Sequence, residues 1–339
     1  MLDLSSPVST RRPSRTDIGA ASLFLLSMLM LACPAFAESP VRIAVLKFGT
    51  ASWELQTVRR HGFDRAAGIR LEVIELAGKQ ATMVALQGGE VDMALNDWLW
   101  VSRQRAAGRD LRFIGYSSAA GALVVPATSP IHALRDLAGK RVGIAGGPLD
   151  KNWLLLRALS LHQGGPDLAE SVEPVYGAPP LLNRQLEEGR LDAVINFWPH
   201  VARLRAKGMR VLIQAREVAR ELGLDAELPL IGYVFADRWA RAQPELVDRF
   251  QTAIGKARRL LATSDAEWDA LRPLMAAPDQ ATFEALRDGF RAGIPEPMTR
   301  ERLSSAERLA DLLGEIGGEH AVLSGGGLSP GTFWGIDDD

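Results

Sequence analysis

Two tripeptides one hundred positions apart carry side chains suited to gripping a small molecule: Asn96-Asp97-Trp98 and Asn196-Phe197-Trp198. An asparagine amide both donates and accepts hydrogen bonds, and an indole offers a broad apolar face with one N–H. Trp53 and Trp153 stand at the same hundred-residue offset. A purely structural reading competes with this one: Asn96 and Asn196 as helix caps, with each Trp packed on its own sheet. A further candidate is Gly146-Gly147-Pro148-Leu149-Asp150, a glycine turn ahead of a helical stretch. Such a turn can bind an anion through backbone N–H groups, or it can be a plain turn with Asp150 as the cap. Asp97 and Asp150 also sit close to several indoles in sequence, a combination that attracts cations. Expected cleft residues are therefore Trp53, Asn96, Asp97, Trp98, Asp150, Trp153, Asn196 and Trp198.

Other chemistry is not in evidence. His61, His132, His162, His200 and His320 have no metal-ligand spacing, and only His200 falls near the expected cleft. No Cys/His cluster, nucleophile elbow or paired acid motif occurs, so neither a metal nor a cofactor is expected. Arg103 with Arg105, and Arg203 with Arg205, are read as solvated helix positions. A formal net charge of −2 gives no support for nucleic-acid binding.

The elements that position these residues come in two similar series. Gly89, Asp92, Asn96, Trp98, Val101, Arg103, Arg105, Ala106 and Gly108 recur as Gly189, Asp192, Asn196, Trp198, Val201, Arg203, Arg205, Ala206 and Gly208. A hundred-residue period is too long for a solenoid and reads as two halves of one molecule. Each half alternates strand and helix: strands near 41–48, 69–76, 91–95 and 111–117, then 141–145, 172–176, 191–195 and 210–213. That order implies α/β lobes with parallel-dominated sheets. Residues 38–127 and 230–320 are expected to form lobe one and residues 128–229 lobe two, with crossings at 125–131 and 228–235. Amphipathic helices follow from Pro244 and from Leu303, and are expected to pack on lobe one. Residues 321–339 read as an irregular tail.

The first 37 residues read as an export signal. Arg11, Arg12 and Arg15 precede the apolar run Leu23–Ala32, and Ala35-Phe36-Ala37 is a small-x-small cleavage site. Cys33 in Met30-Leu31-Ala32-Cys33 offers a weaker, lipoprotein-like cleavage site, and Arg11-Arg12 a weak twin-arginine pair. No other segment is apolar enough to span a bilayer. A periplasmic, monomeric chain follows as the expectation.

VRIAVLKFGTASW at the first strand, GGEVDMALND, LRDLAGKRVGIAGG opening the second half, and EGRLDAVINFWP together resemble a known architecture. They are similar to the type II periplasmic binding fold. More narrowly they resemble the nitrate/sulfonate/taurine and thiamine-pyrimidine branch of ABC-transporter substrate-binding proteins. The resemblance covers about Val41–Ile316. It implies two lobes, a hinge and a central ligand cleft, with no catalysis, and an inner-membrane ABC permease with its ATPase as partner. The expected ligand is a thiamine-type pyrimidine or a cationic amine, followed by sulfonates or nitrate. A pyrimidine-synthase-like enzyme and a transporter-independent periplasmic sensor are the competing functional readings.

Overall fold

The computed structural model describes residues 38–318 and 327–336. The proposed signal segment and its cleavage site lie outside them. Ten strands form two five-stranded sheets. In chain order they are β1 (Ser39–Leu46), β2 (Ile69–Leu76), β3 (Met93–Asp97), β4 (Leu111–Ser117), β5 (Gly121–Val125), β6 (Arg141–Ala145), β7 (Glu173–Gly177), β8 (Ala193–Phe197), β9 (Arg210–Gln214) and β10 (Ile231–Ala236). The sheets have the orders β2-β1-β3-β10-β4 and β7-β6-β8-β5-β9. The longer helices between them are α1 (Ala51–Arg60), α2 (Lys79–Gly88), α3 (Trp98–Ala106), α4 (Lys151–His162), α5 (Pro179–Glu187), α6 (Trp198–Ala206) and α7 (Ala215–Glu221). After β10 come α8 (Pro244–Thr263), α9 (Asp265–Leu271), α10 (Gln280–Ala292) and α11 (Arg300–Gly317).

The two halves match element for element. β1 lies between β2 and β3, in parallel with both, as β6 does between β7 and β8. Apolar strands buried on both faces suit this inner position; Ile43, Ala44, Val142 and Ile144 are fully buried. The fourth place in each sheet is filled from the other half. β10 runs antiparallel between β3 and β4, while β5 runs antiparallel between β8 and β9. The chain therefore passes to the second lobe at residues 118–120, not at 125–131, and β5 belongs to lobe two. β4 and β5, separated by three residues, read in sequence as neighbours of one sheet; only the long-range pairing separates them. Two glycines permit the exchange. A Cβ on Gly121 would lie 2.1 Å from the Asn196 carbonyl oxygen, and one on Gly232 would lie 2.2 Å from that of Ile114. The chain returns to the first sheet through residues 228–230, just ahead of β10.

The C-terminal helices divide between the lobes. α8 packs on α1 of lobe one, whereas α10 lies along α6 and α11 along α4, both of lobe two. Placement on lobe one alone is thus corrected. Their apolar stripes face two partners at once: Phe290 of α10 reaches Trp53, while Trp198 lies against Gly289. Within the tail, residues 327–336 form no regular element but are docked. Ser329 donates two hydrogen bonds to Ser102, from its backbone N–H to Oγ and from its hydroxyl to the carbonyl, and Phe333 is fully buried against Trp98 and Phe113.

Candidate functional site

The carboxyl ends of β1, β3, β6 and β8 point to one space between the lobes, where open α/β sheets bind ligands. This cleft encloses about 680 Å³. Five helices begin there, α2 among them with Gly78 as its cap and Lys79 on the wall. α1 starts at Thr50, α3 at Asp97, α4 at Asp150 and α6 at Phe197. Two starts are capped by carboxylates: Asp97 Oδ1 accepts the Trp100 N–H at 2.8 Å, and Asp150 Oδ1 accepts those of Asn152 and Trp153 at 2.9 and 3.3 Å. α1 has no side-chain cap. Thr50 Oγ1 instead accepts the Tyr116 hydroxyl at 3.0 Å. Burial, and then the nearby Glu54 charge, raise the Tyr116 pKa, so this phenol keeps its proton and remains a donor.

Charge in the cleft is unevenly distributed. Lys79, Arg103 and Lys151 line it beside Asp97 and Asp150. Asp97 Oδ2 lies 3.4 Å from Lys79 Nζ of lobe one and 3.4 Å from Lys151 Nζ of lobe two. Burial alone would raise its pKa. The two lysines, the Trp100 N–H and Arg103 outweigh that, so it is lowered and the carboxylate stays ionised. Asp150 goes the other way: burial raises it, and Lys151 with the helix amides only partly opposes. His200, also on the cleft wall, is pushed down to about 4 by burial and by Arg203, so the imidazole is neutral at pH 7. Three cations thus face at most two carboxylates, and the Asp97–Lys151 pair spans the lobes.

Of the expected residues, Asn96, Asp97, Asp150 and Trp198 line the cleft. The other four do not. Trp98 is fully buried, 5.7 Å from the Phe333 ring, because the docked tail covers it. Trp153 is 1% exposed and belongs to the core that α11 and α4 share. Trp53 is 4% exposed and packs edge-on to Trp268 at 5.8 Å and Trp198 at 6.2 Å. It lies behind the cleft wall rather than on it. Asn196 is fully buried, and its amide donates to the Pro179 carbonyl at 2.9 Å and to Asn183 Oδ1 at 2.7 Å. Asn96 makes the equivalent bonds, donating to Met83 Sδ and accepting the next backbone N–H. The asparagines therefore brace the strand-to-helix turns.

The paired Asp92 and Asp192 are likewise scaffold. Each accepts a backbone N–H from the neighbouring strand, that of Arg42 and Arg141 respectively, at 2.8 Å. Two of the arginines read as solvated are engaged. Arg203 donates to the Met275 and Ala276 carbonyls near the end of α9, tying α6 to lobe one. Arg105 donates to the Pro330 carbonyl and so holds the tail. Lys79, Lys151, Asn152, Thr50 and Tyr116 carry no motif that marks them in sequence. Their one signal is position: all but Tyr116 fall at or just after a strand-to-helix turn.

The family model described as NMT1/THI5 like matches residues 55–265. A protein of Escherichia coli (strain K12) named "Putative aliphatic sulfonates-binding protein" is 28% identical over 193 residues, 52% of this chain and 59% of that protein. The chain thus spans somewhat over half the length of that curated relative. Among solved structures, the periplasmic aliphatic sulphonate binding protein SsuA from Escherichia coli superposes with a TM-score of 0.66 at 22% identity, covering 82% of this chain and 87% of that one. The desulfurization enzyme DSZB shares the fold at a TM-score of 0.55 and 20% identity, covering 82% and 92%. The fold is therefore that of two-lobed periplasmic binding proteins.

Proposed function

Because this chain belongs to the NMT1/THI5-like family, we propose that it is the exported solute-binding component of an ABC importer, and that its ligand is a small organic anion, foremost a sulfonate. The observation that carries the reading is the cleft charge. Lys79 and Arg103 of lobe one and Lys151 of lobe two surround a single firmly ionised carboxylate, Asp97. An anion entering between the lobes meets cations from both. Closure then adds the Lys151 contact to those already made on lobe one, which is how differential contacts favour the closed state. Thr50, on the cleft wall, supplies a further hydroxyl donor for an anionic oxygen.

This preference reverses the order expected from sequence, where a thiamine-type pyrimidine or cationic amine comes first. That expectation rests on four converging indoles beside Asp97 and Asp150. Both carboxylates line the cleft, but of the four indoles Trp198 alone does. A cationic amine would meet three positive groups with Asp97 already engaged by two of them. The names of the curated relative and of SsuA, which refer to sulfonates, agree in kind.

In this reading no bond is made or broken. The chain's one cysteine, Cys33, lies outside the described residues, and the residues lining the cleft include no thiol. The neutral, half-buried His200 makes no ion pair with a carboxylate among the described residues that would orient it as a base. The partner is an inner-membrane permease with its ATPase, and the site of action the periplasm. Calorimetric titration of the purified protein with propane-1-sulfonate, choline and a 4-aminopyrimidine tests the ligand class. Tight binding of the sulfonate alone supports the reading; tight binding of choline or the pyrimidine, with none of the sulfonate, overturns it. Recovery of the sulfonate unaltered after prolonged incubation separates binding from catalysis.

A further inference from the structure

The two oxygens of Asp97 have separate tasks. Oδ1 caps α3, accepting the Trp100 N–H at 2.8 Å. Oδ2 takes no part in the cap. It stands 3.4 Å from Nζ of Lys79, the first residue of α2 in lobe one, and 3.4 Å from Nζ of Lys151, the first residue of α4 in lobe two. Capping does not call for a charge, because Asn or Ser caps a helix about as well as Asp. The duplicated fold does not call for one either. Phe197, Pro179 and Ala51 stand at the positions equivalent to Asp97, Lys79 and Lys151. α6, which starts from Phe197, has no side-chain cap at all. Each of the three charges is thus present in one half only.

The bridge is placed to act on the lobes rather than on local structure. Lys79 and Asp97 belong to the same lobe, so their attraction does not hold the lobes together. Asp97–Lys151 crosses the cleft. It is also the better shielded pair: the Asp97 and Lys151 side chains are 9% and 22% exposed, against 58% for Lys79. Charge pairs gain strength as water is excluded. The cleft beside the bridge encloses about 680 Å³, so the pair joins the walls without filling the space between them.

We propose that Asp97 serves as a surrogate anion: without ligand, its carboxylate holds the two lobes together through Lys151. Combined with the anion reading given above, on which this step rests, binding becomes an exchange. An acidic head takes Lys151 from Asp97, which keeps Lys79 and its cap. An anion then still spans the lobes, and no charge is left unpaired. The latch itself rests on the ion pair and needs no particular ligand.

Spin labels at Val84→Cys and Leu181→Cys, exposed positions on α2 and α5 outside the cleft wall, report the distance between the lobes by pulsed electron resonance; Cys33→Ser removes the chain's one thiol. In exhaustively dialysed protein the closed distance should predominate. Asp97→Asn and Lys151→Met should each raise the ratio of open to closed about two- to fivefold, the scale of one partly exposed ion pair. Combining them should add little, since both remove the same contact. Lys79→Met should leave the ratio unchanged or lower it, because Asp97 then has Lys151 alone. High salt should open the wild-type protein and leave Asp97→Asn where it is. Should Asp97→Asn fold poorly, Lys151→Met, which touches no cap, carries the test. A predominantly open wild-type protein, unchanged distances in the folded variants, or opening by Lys79→Met as large as by Lys151→Met overturns the proposal. Lys151→Met should also weaken propane-1-sulfonate binding about tenfold in the Asp97→Asn background, where the acidic head alone uses Lys151; undiminished affinity there overturns the exchange. Failure of propane-1-sulfonate to bind any form defeats the anion reading instead, and the ligand-free distances still decide for Asp97.

Discussion

Asp97→Asn is the sharpest test of the cleft electrostatics. The substitution keeps the shape, and Asn caps a helix about as well as Asp, so the bond from the Trp100 N–H should survive. What changes is charge: three cations facing two carboxylates become three facing one. Two effects then oppose each other. Lys79 and Lys151 lose a shared partner 3.4 Å from each ammonium. Lys79 is 58% exposed and relaxes into water, and Lys151 is 22% exposed, so the loss of stability should be about 1 kcal/mol. Against that, an anionic ligand no longer feels the carboxylate. At a separation of about 6 Å and an effective dielectric near 20, the repulsion removed is roughly 1–3 kcal/mol once the lysines' screening is allowed for. Affinity for propane-1-sulfonate should therefore rise about five- to hundredfold. Calorimetry at low and high salt checks it, and the gain should shrink as salt rises. A tenfold or larger loss of affinity, with the circular dichroism spectrum and melting transition preserved, would refute the reasoning, because Asp97 would then be contacting the ligand as an acceptor.

The remaining predictions concern the residues around the cleft. Trp98→Ala should destabilise the protein by about 3–5 kcal/mol in denaturant titration, since its ring is fully buried under Phe333. Trp198→Ala should cost less stability, yet weaken ligand binding and shift the solution scattering profile toward a more open form, because its ring contacts Trp53 of lobe one at 6.2 Å. Phe333→Ser should destabilise by about 2–4 kcal/mol by uncovering Trp98 and Phe113, where a merely appended tail would show no change. His200 has a folded-state pKa near 4, below its ordinary 6.5, so between those values the unfolded chain binds more protons than the folded one. Stability should fall as pH drops from about 6.5 to 4, and His200→Gln should flatten the melting temperature over that window.

Most of the scaffold is legible in the sequence because it obeys short-range rules. β2, β4 and β6 begin and end where alternation, glycine turns and apolar spacing place them. The long-range arrangement is not. Nothing local in Gly121–Val125 says that it leaves the sheet of β4, and α10 and α11 show one apolar stripe without showing which lobe it covers. The site is obscured for a more specific reason. Residues identical in the two halves do work that both halves need: Asn96 and Asn196 brace turns, and Asp92 and Asp192 clamp strand starts. Much of the cleft is built where the copies differ, although Asn96, Arg103 and Trp198, each from an identical pair, also line it. Thr50 stands opposite Asp150, Ser52 opposite Asn152, Lys79 opposite Pro179, and Asp97 opposite Phe197. One or both members of each of these pairs line the cleft. A ligand that is itself asymmetric needs unlike walls, so in a duplicated fold the differences are the better guide to binding residues.

The exchange of β5 and β10 between the sheets has a consequence for the order in which the molecule can assemble. When the ribosome has delivered the first half, its sheet still has a gap between β3 and β4, and the strand that fills it is the last of all ten. The first half cannot finish folding until residue 236 has emerged. The second half, by contrast, receives β5 before any of its other strands. A nascent chain of this design stays incomplete for most of its synthesis, since the late, sequence-distant pairing must wait for loop closure over more than a hundred residues. For the export proposed above, a route that threads the chain before it folds would draw on that delay.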